Sequence, residues 1–181
     1  MTSPTERELL LCLAREAIAA HVGQSRQSAM RNPQSAILAR HAGAFVTLHK
    51  RGELRGCIGH IEPTEPLGVV VPRCAVAACS SDPRFPPVTA AELTEIELEI
   101  SLLGLLEPID GPEGVEIGRH GLVVERGWQR GLLLPQVARD WRWDAAAFLE
   151  HTCHKAGLPR DAWRHGARLW RFEADVFAEG G

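Results

Sequence analysis

An excess of charge of one sign is missing from this sequence. Twenty lysines and arginines stand against 23 aspartates and glutamates in 181 residues, a net charge of −3. A chain built to coat nucleic acid or an anionic membrane carries a marked basic excess, so the balance argues against both roles and leaves room only for a local basic patch. Long apolar runs are missing too: none approaches the roughly 18 residues of a membrane span. The opening stretch MTSPTERELLLCLAREAIAA is broken throughout by Glu and Arg, so it lacks the apolar core of a signal peptide. There is no CxxC pair, and the five cysteines (Cys12, Cys57, Cys74, Cys79 and Cys153) are odd in number. The reading is a cytoplasmic protein with reduced thiols, with no membrane role. No GxGxxG or GxxxxGK[ST] phosphate loop occurs, nor any internal repeat or low-complexity tract.

What is present is an ordinary globular composition, 45% hydrophobic and 24% charged. It is enough for one domain with a substantial core, or for one domain with a small lobe attached. Thr5 and Glu8 have capping-box spacing, and Leu10, Leu13, Ala14, Ala17 and Ile18 follow at helical period, with Gly23 as a stop. Gln24 to Gly43 reads as a polar, mobile connector. AFVTLH, a KRGE turn and LRGCI read as a hairpin, with Gly59 breaking its second strand. A helix follows from Thr64 and Pro66, with Leu67, Val70, Val71, Cys74 and Ala78 on one face and Pro72 awkwardly inside it. SSDPRFPPV is a stiff loop, and Thr89 with Glu92 caps a short helix. EIELEISL is a strand with Ile96, Leu98, Ile100 and Leu102 on one face. EPIDGPEG is a loop, HGLVVE and RGLLLP form a second hairpin, Asp144 opens a helix through Ala156, and LWRFEADVF ends the chain as a strand with Trp170, Phe172, Ala174 and Val176 alternating. Hairpins and helices without a regular strand–helix–strand rhythm predict an α+β fold with a mainly antiparallel sheet and flanking helices.

The chemistry concentrates in ELRGCIGH. Cys57 is a candidate nucleophile or redox thiol once something stabilises its thiolate. Arg55, two residues away on the same strand face, is placed to do so, and Gly56 and Gly59 leave backbone N–H groups unshielded for an anion. His60, past the glycine break, can fold back as a base or point elsewhere. The competing reading is a small, buried packing residue. In DPRF, Asp82 starts a turn that holds Arg84 either as an anion anchor or as an ion pair that only fixes the loop. His120, beside glycines, is a candidate for proton handling. Glu97 and Glu99 share the polar face of one strand, as a base or as a solvated face. His151 and His154 of HTCH lack a third ligand by spacing, so no metal site is assigned. The Trp- and Arg-rich last third uses the residue types of base stacking, but its acidic residues dilute the charge, and nucleic acid is not the favoured partner.

The ordered set GAFVTL, LRGCIG, DPRFPPV, ELTEIELEISLL, IGRHGLVV, GLLLPQVA and FEADVFAE resembles the AMMECR family, which includes protein A of the bacterial AmmeMemoRadiSam system. The likeness runs from about Gly43 to Glu179, within one domain over 1–181: an N-terminal helix and connector at 1–42 and a motif-bearing core at 43–179. The resemblance implies two subdomains with LRGCIG near a groove between them, and two partners, a MEMO-like protein and a radical SAM protein. It implies no established reaction and names no cofactor. The residues that map onto its motifs are Leu54, Arg55, Gly56, Cys57, Ile58, Gly59, Asp82, Arg84, Phe85, His120, Pro135 and Gln136. The family pattern has another residue at His60, which leaves His120 as the better proton handler. Two classes of function follow. One is a cysteine-centred enzyme or cofactor-handling component, with Cys57 and His120 catalytic and Arg55, Gly56, Gly59, His60, Asp82, Arg84 and Gln136 binding. The other is a non-catalytic adaptor that holds a peptide or a partner protein's loop in the groove at LRGCIG; an unidentified small molecule or peptide is the further partner expected.

Overall fold

Ser3 opens the first helix, α1 (Pro4–His21). Its hydroxyl accepts the Glu6 N–H while the Glu6 carboxylate accepts the Ser3 N–H. This capping box lies two residues upstream of the Thr5–Glu8 pair suggested by spacing. Pro4 decides the shift, because its fixed φ suits the first helical position and its missing N–H is not needed there. The structure, a computed structural model, describes residues 2–23 and 35–180. The connector expected over Gln24 to Gly43 lies outside the described residues as far as position 34. Its remainder holds a short helix, α2 (Ala36–Ala39).

The described residues form two units, one running to Leu103 and including Asp175 onward, the other Gly104–Ala174. In the first unit β1 (Ala44–Lys50) lies between two antiparallel neighbours, β2 (Glu53–His60) and β3 (Ile96–Leu103). Between β2 and β3 the chain forms α3 (Leu67–Ser80), which runs through Pro72. The alternate residues Ala44, Val46 and Leu48 of β1, and Ile96, Leu98, Ile100 and Leu102 of β3, are buried. They form one core with Leu10, Ala14 and Ile18 of α1 and Leu67, Val70, Val71, Cys74 and Ala78 of α3. Burying each large aliphatic side chain contributes about 1.5–3 kcal/mol, so this core is what fixes the register of β1 and β2.

The second unit has its own antiparallel strands. β4 (Glu107–Ile109) falls inside the segment expected to be a loop and pairs with the last strand. β5 (His120–Arg126) and β6 (Gln129–Leu133) form the expected hairpin. α4 (Pro135–Asp140) is a further helix that no cap signalled. α5 (Ala145–Lys155) starts where Asp144 accepts the Ala147 N–H, and Phe148, Leu149, Thr152 and Cys153 form its buried stripe. β7 (Arg168–Ala178) pairs with β5 and β4 over its first half. Its expected alternation does not hold. Leu169 and Phe172 are buried, Val176 is exposed, and Phe177 belongs to the first unit's core, because the strand serves two cores in succession. Helices and antiparallel strands together make the α+β fold that the pattern predicts. Among the described residues no helix is long and apolar enough to cross a membrane.

Candidate functional site

Cys57 stands opposite Thr47 in the β1–β2 register. Its N–H points away from β1 and donates to Asp82 Oδ2 at 2.9 Å. The Cys57–Thr47 pair is therefore of the non-hydrogen-bonded kind, in which facing side chains come closest. Thr47 Oγ1 accordingly donates to Cys57 Sγ at 3.3 Å. Thr47 in turn faces Glu99 on β3, so Cys57, Thr47 and Glu99 form a row across the sheet. Gly56, Ile58 and His60 point to the opposite face. There Gly56 is a packing device: a Cβ on it would sit 2.2 Å from the Ala78 carbonyl oxygen of α3.

Gly59 does not break the strand, which continues through His60. The Phe45 ring lies where a Cβ on Gly59 would be, 2.2 Å from its nearest carbons. Strand alternation therefore survives to His60 and turns its ring to the face opposite Cys57. His60 Nε2 lies 3.2 Å from Thr64 Oγ1. Of the two orientations open to His60, the structure has the one that points away from Cys57.

DPRF covers the outer edge of β2. The carboxylate of the buried Asp82 accepts from the Cys57 N–H, the Arg84 N–H at 3.1 Å, Arg84 Nε at 3.0 Å and Arg84 Nη2 at 2.7 Å. The Arg84 guanidinium, helped by these N–H groups, holds the Asp82 carboxyl well below the usual carboxylate range. Arg84 Nη2 also reaches the Cys57 carbonyl at 3.4 Å. Both outward backbone groups of Cys57 are thus satisfied by one loop, and an edge that would otherwise invite another strand is closed there. The Arg84 side chain remains 48% exposed.

Arg55 does not sit beside the sulfur as its spacing suggested. The β1–β2 register shifts between Leu48 and His49. Arg55 Nε and Nη2 each lie 3.2 Å from a Glu92 oxygen, and Nη1 donates to the Pro86 carbonyl at 2.8 Å. Arg55, followed by the Thr89 N–H, brings the Glu92 carboxyl down to about 2. Arg55 thus ties the proline-rich loop to β2.

Burial pushes the Cys57 thiol up; Thr47 and Arg84 act downward, and Asp82 and Glu99 act upward. Arg84 brings little net field because Asp82 lies against it. Cys57 is a half-buried free cysteine. Cys74, deeper in the core, is raised by burial to about 11.

His120 and Gln136 belong to the second unit. His120 is buried, and its Nδ1 accepts the Glu116 N–H at 2.9 Å. The neutral ring therefore carries its proton on Nε2 and is a hydrogen-bond donor there. Burial, then Arg171 and Arg119, lower its pKa. Gln136 is half-buried in the first turn of α4. Among the described residues no three His, Cys, Asp or Glu side chains converge to hold a metal. His151 of HTCH instead stacks on Trp143.

Sequence reasoning passed over two residues of this arrangement, Thr47 and Glu92. Thr47 was visible as the lone hydroxyl in AFVTLH, and Glu92 had a stated role only as a cap. Their partners lie 10 and 37 positions away, and no local signal specifies such contacts.

The AMMECR1 family model matches residues 11–177 of the chain. A protein of Methanothermobacter thermautotrophicus is 45% identical over 186 residues, covering 99% of this chain and 97% of its own length. One from Thermofilum pendens is 43% identical, covering 98% and 91%. The crystal structure of an uncharacterised protein from Pyrococcus horikoshii superposes with a TM-score of 0.91 at 37% identity, covering 98% of this chain and 93% of that one.

Proposed function

From the premise that this chain belongs to the AMMECR1 family, we propose that it is a binding module built around LRGCIG and DPRF. It takes a carboxylate-bearing segment of a partner protein and works in the reducing setting of the cytoplasm. The observation that carries this reading is the Asp82–Arg84 clamp on Cys57. One buried carboxylate, itself anchored by two backbone N–H groups, holds through two further hydrogen bonds a guanidinium whose side chain stays half-exposed. Guanidinium held in this way is pre-organised for a second carboxylate at little entropic cost. Burial raises the pKa of the thiol beside it, which supports contact rather than attack. Strand addition at Cys57 is disfavoured because its outward groups are already bound. The MEMO-like and radical SAM proteins implied by the motif resemblance are the partners to test.

The test is co-purification of the full chain with each of these two proteins. Complex formation is expected to survive Cys57→Ser and to fall at least tenfold with Arg84→Ala. Absence of binding to both, or loss with Cys57→Ser alone, refutes the proposal. A second reading, a cysteine enzyme whose thiol ionises only when a ligand is bound, is favoured by one contact, the Thr47 hydroxyl donated to Sγ. Under that reading Thr47→Val lowers the alkylation rate of Cys57 in the complex, whereas the binding module is insensitive to it.

A further inference from the structure

The second unit carries a column of aromatic rings that the reading above does not use. Trp143 stacks face to face on His151, with centroids 3.7 Å apart and planes within 5°. Trp141 continues the column beside Trp143 at 6.1 Å and 17°. The inner end is anchored, since Trp143 packs against the unit's buried cluster. The outer end is open, since Trp141 is 70% exposed.

The backbone is bent to make this column. α4 ends with the Arg142 N–H donating to the Arg139 carbonyl at 3.1 Å and the Trp143 N–H donating to the Ala138 carbonyl at 2.9 Å. These two bonds define a Schellman turn, whose residue after the cap takes the left-handed conformation and is usually glycine. Here that residue is Arg142, with φ 55°. An L side chain is strained at such a position, and a strained residue between two stacked tryptophans points to a use for its side chain.

Charge selects the occupant. Arg139 pairs with Asp140, and the Asp144 carboxylate caps α5. Arg142, exposed and next in the chain to Trp141, makes no hydrogen bond or ion pair through its guanidinium among the described residues. An exposed indole followed in the chain by an unpaired guanidinium fits a flat π ring joined to an anion.

We propose that Trp141 and Arg142 form a subsite for one nucleotide unit, with the base stacked on Trp141 and the phosphate on Arg142. Stacking on an aromatic face is indifferent to base identity, and guanidinium matches phosphate geometry. A free nucleotide and one residue of a single strand share this chemistry. With a single cation engaged, the site binds weakly and depends on salt through about one phosphate contact. It therefore agrees with a chain whose net charge of −3 cannot coat nucleic acid. The site is independent of the LRGCIG reading.

The test follows the indole N–H resonances of the full chain by NMR, with Trp141 assigned from Trp141→Phe. The chain is titrated with thymidine monophosphate, a ten-nucleotide oligothymidylate, inorganic phosphate and a proline decapeptide. Saturable shifts at Trp141 are expected with the monophosphate or the oligonucleotide and not with phosphate alone. Trp141→Ala is expected to weaken binding at least about fivefold. Arg142→Gly keeps the left-handed turn, so the fold is retained while affinity falls and the salt slope drops by about one phosphate contact. Oligonucleotide affinity more than tenfold above that of the monophosphate identifies a strand as the source, and equal affinity per nucleotide identifies the free nucleotide. The proposal is overturned if neither nucleotide probe moves Trp141, if both variants bind as tightly as the parent chain, or if only the proline peptide binds.

Discussion

Asp82→Asn isolates what the clamp at Cys57 contributes. Asp82 accepts four hydrogen bonds, two of them from the Arg84 guanidinium, with its side chain 2% exposed. Asparagine keeps the volume but turns an NH2 group toward donors. Hydrogen bonds to a charged group contribute about 1.5–3 kcal/mol each, but Arg84 is half-exposed and regains water when released, so the expected loss at pH 7 is about 2–4 kcal/mol. The pH dependence identifies the cause. Asp82 has a folded-state pKa below its unfolded value, so its stabilisation is present above the unfolded pKa and is lost as pH falls through the folded one. At pH 3 the unfolded carboxyl, with a pKa near 3.9, is mostly protonated, and the gap between parent and variant should narrow by about 1 kcal/mol. Urea unfolding of both proteins at pH 7 and pH 3 measures this directly. A loss below about 0.5 kcal/mol at pH 7, or a gap that does not narrow at pH 3, refutes a charge-based clamp.

Gly56→Ala should cost about 2–3 kcal/mol, read by urea unfolding, because the added carbon meets the Ala78 carbonyl of α3 at 2.2 Å and helix backbone cannot step aside cheaply. Arg142→Gly should raise stability by about 0.5–1 kcal/mol in thermal melts, since glycine fits φ 55° without strain; a fall would mean that the arginine side chain stabilises the turn. His120 should titrate below a free histidine and show the Nε2–H tautomer in nitrogen chemical shifts. Because its folded pKa is lowered, the stability it contributes is present above about 6.5 and declines as pH falls below that value. A ring that is charged at pH 7 would contradict its acceptor role toward Glu116.

Alternation and caps made much of the fold legible. Ile96, Leu98, Ile100 and Leu102 announced β3, Asp144 announced α5, and the Leu67–Ala78 stripe announced α3 despite Pro72. Signals that depend on distant residues did not carry. β4 has only three residues and exists because β7 pairs with it. Gly59 looked like a breaker until the Phe45 ring filled its place. At the site, the sequence marked Cys57, Asp82 and Arg84 as chemistry-bearing residues but could not rank their contacts. The register shift after Leu48 removed Arg55 from the sulfur, and the clamp set Arg84 near the Cys57 backbone instead. The thiol's state depends on burial, which no spacing rule reports.

The most direct measurement is the pH dependence of Cys57 alkylation in the native protein, read site by site by mass spectrometry with the other four cysteines as internal controls. The account expects Cys57 to label slowly near pH 6 and to accelerate only at a pH above that of an ordinary thiol, as burial requires. Fast and selective labelling of Cys57 near pH 6 would reveal a stabilised thiolate and contradict the binding-module account.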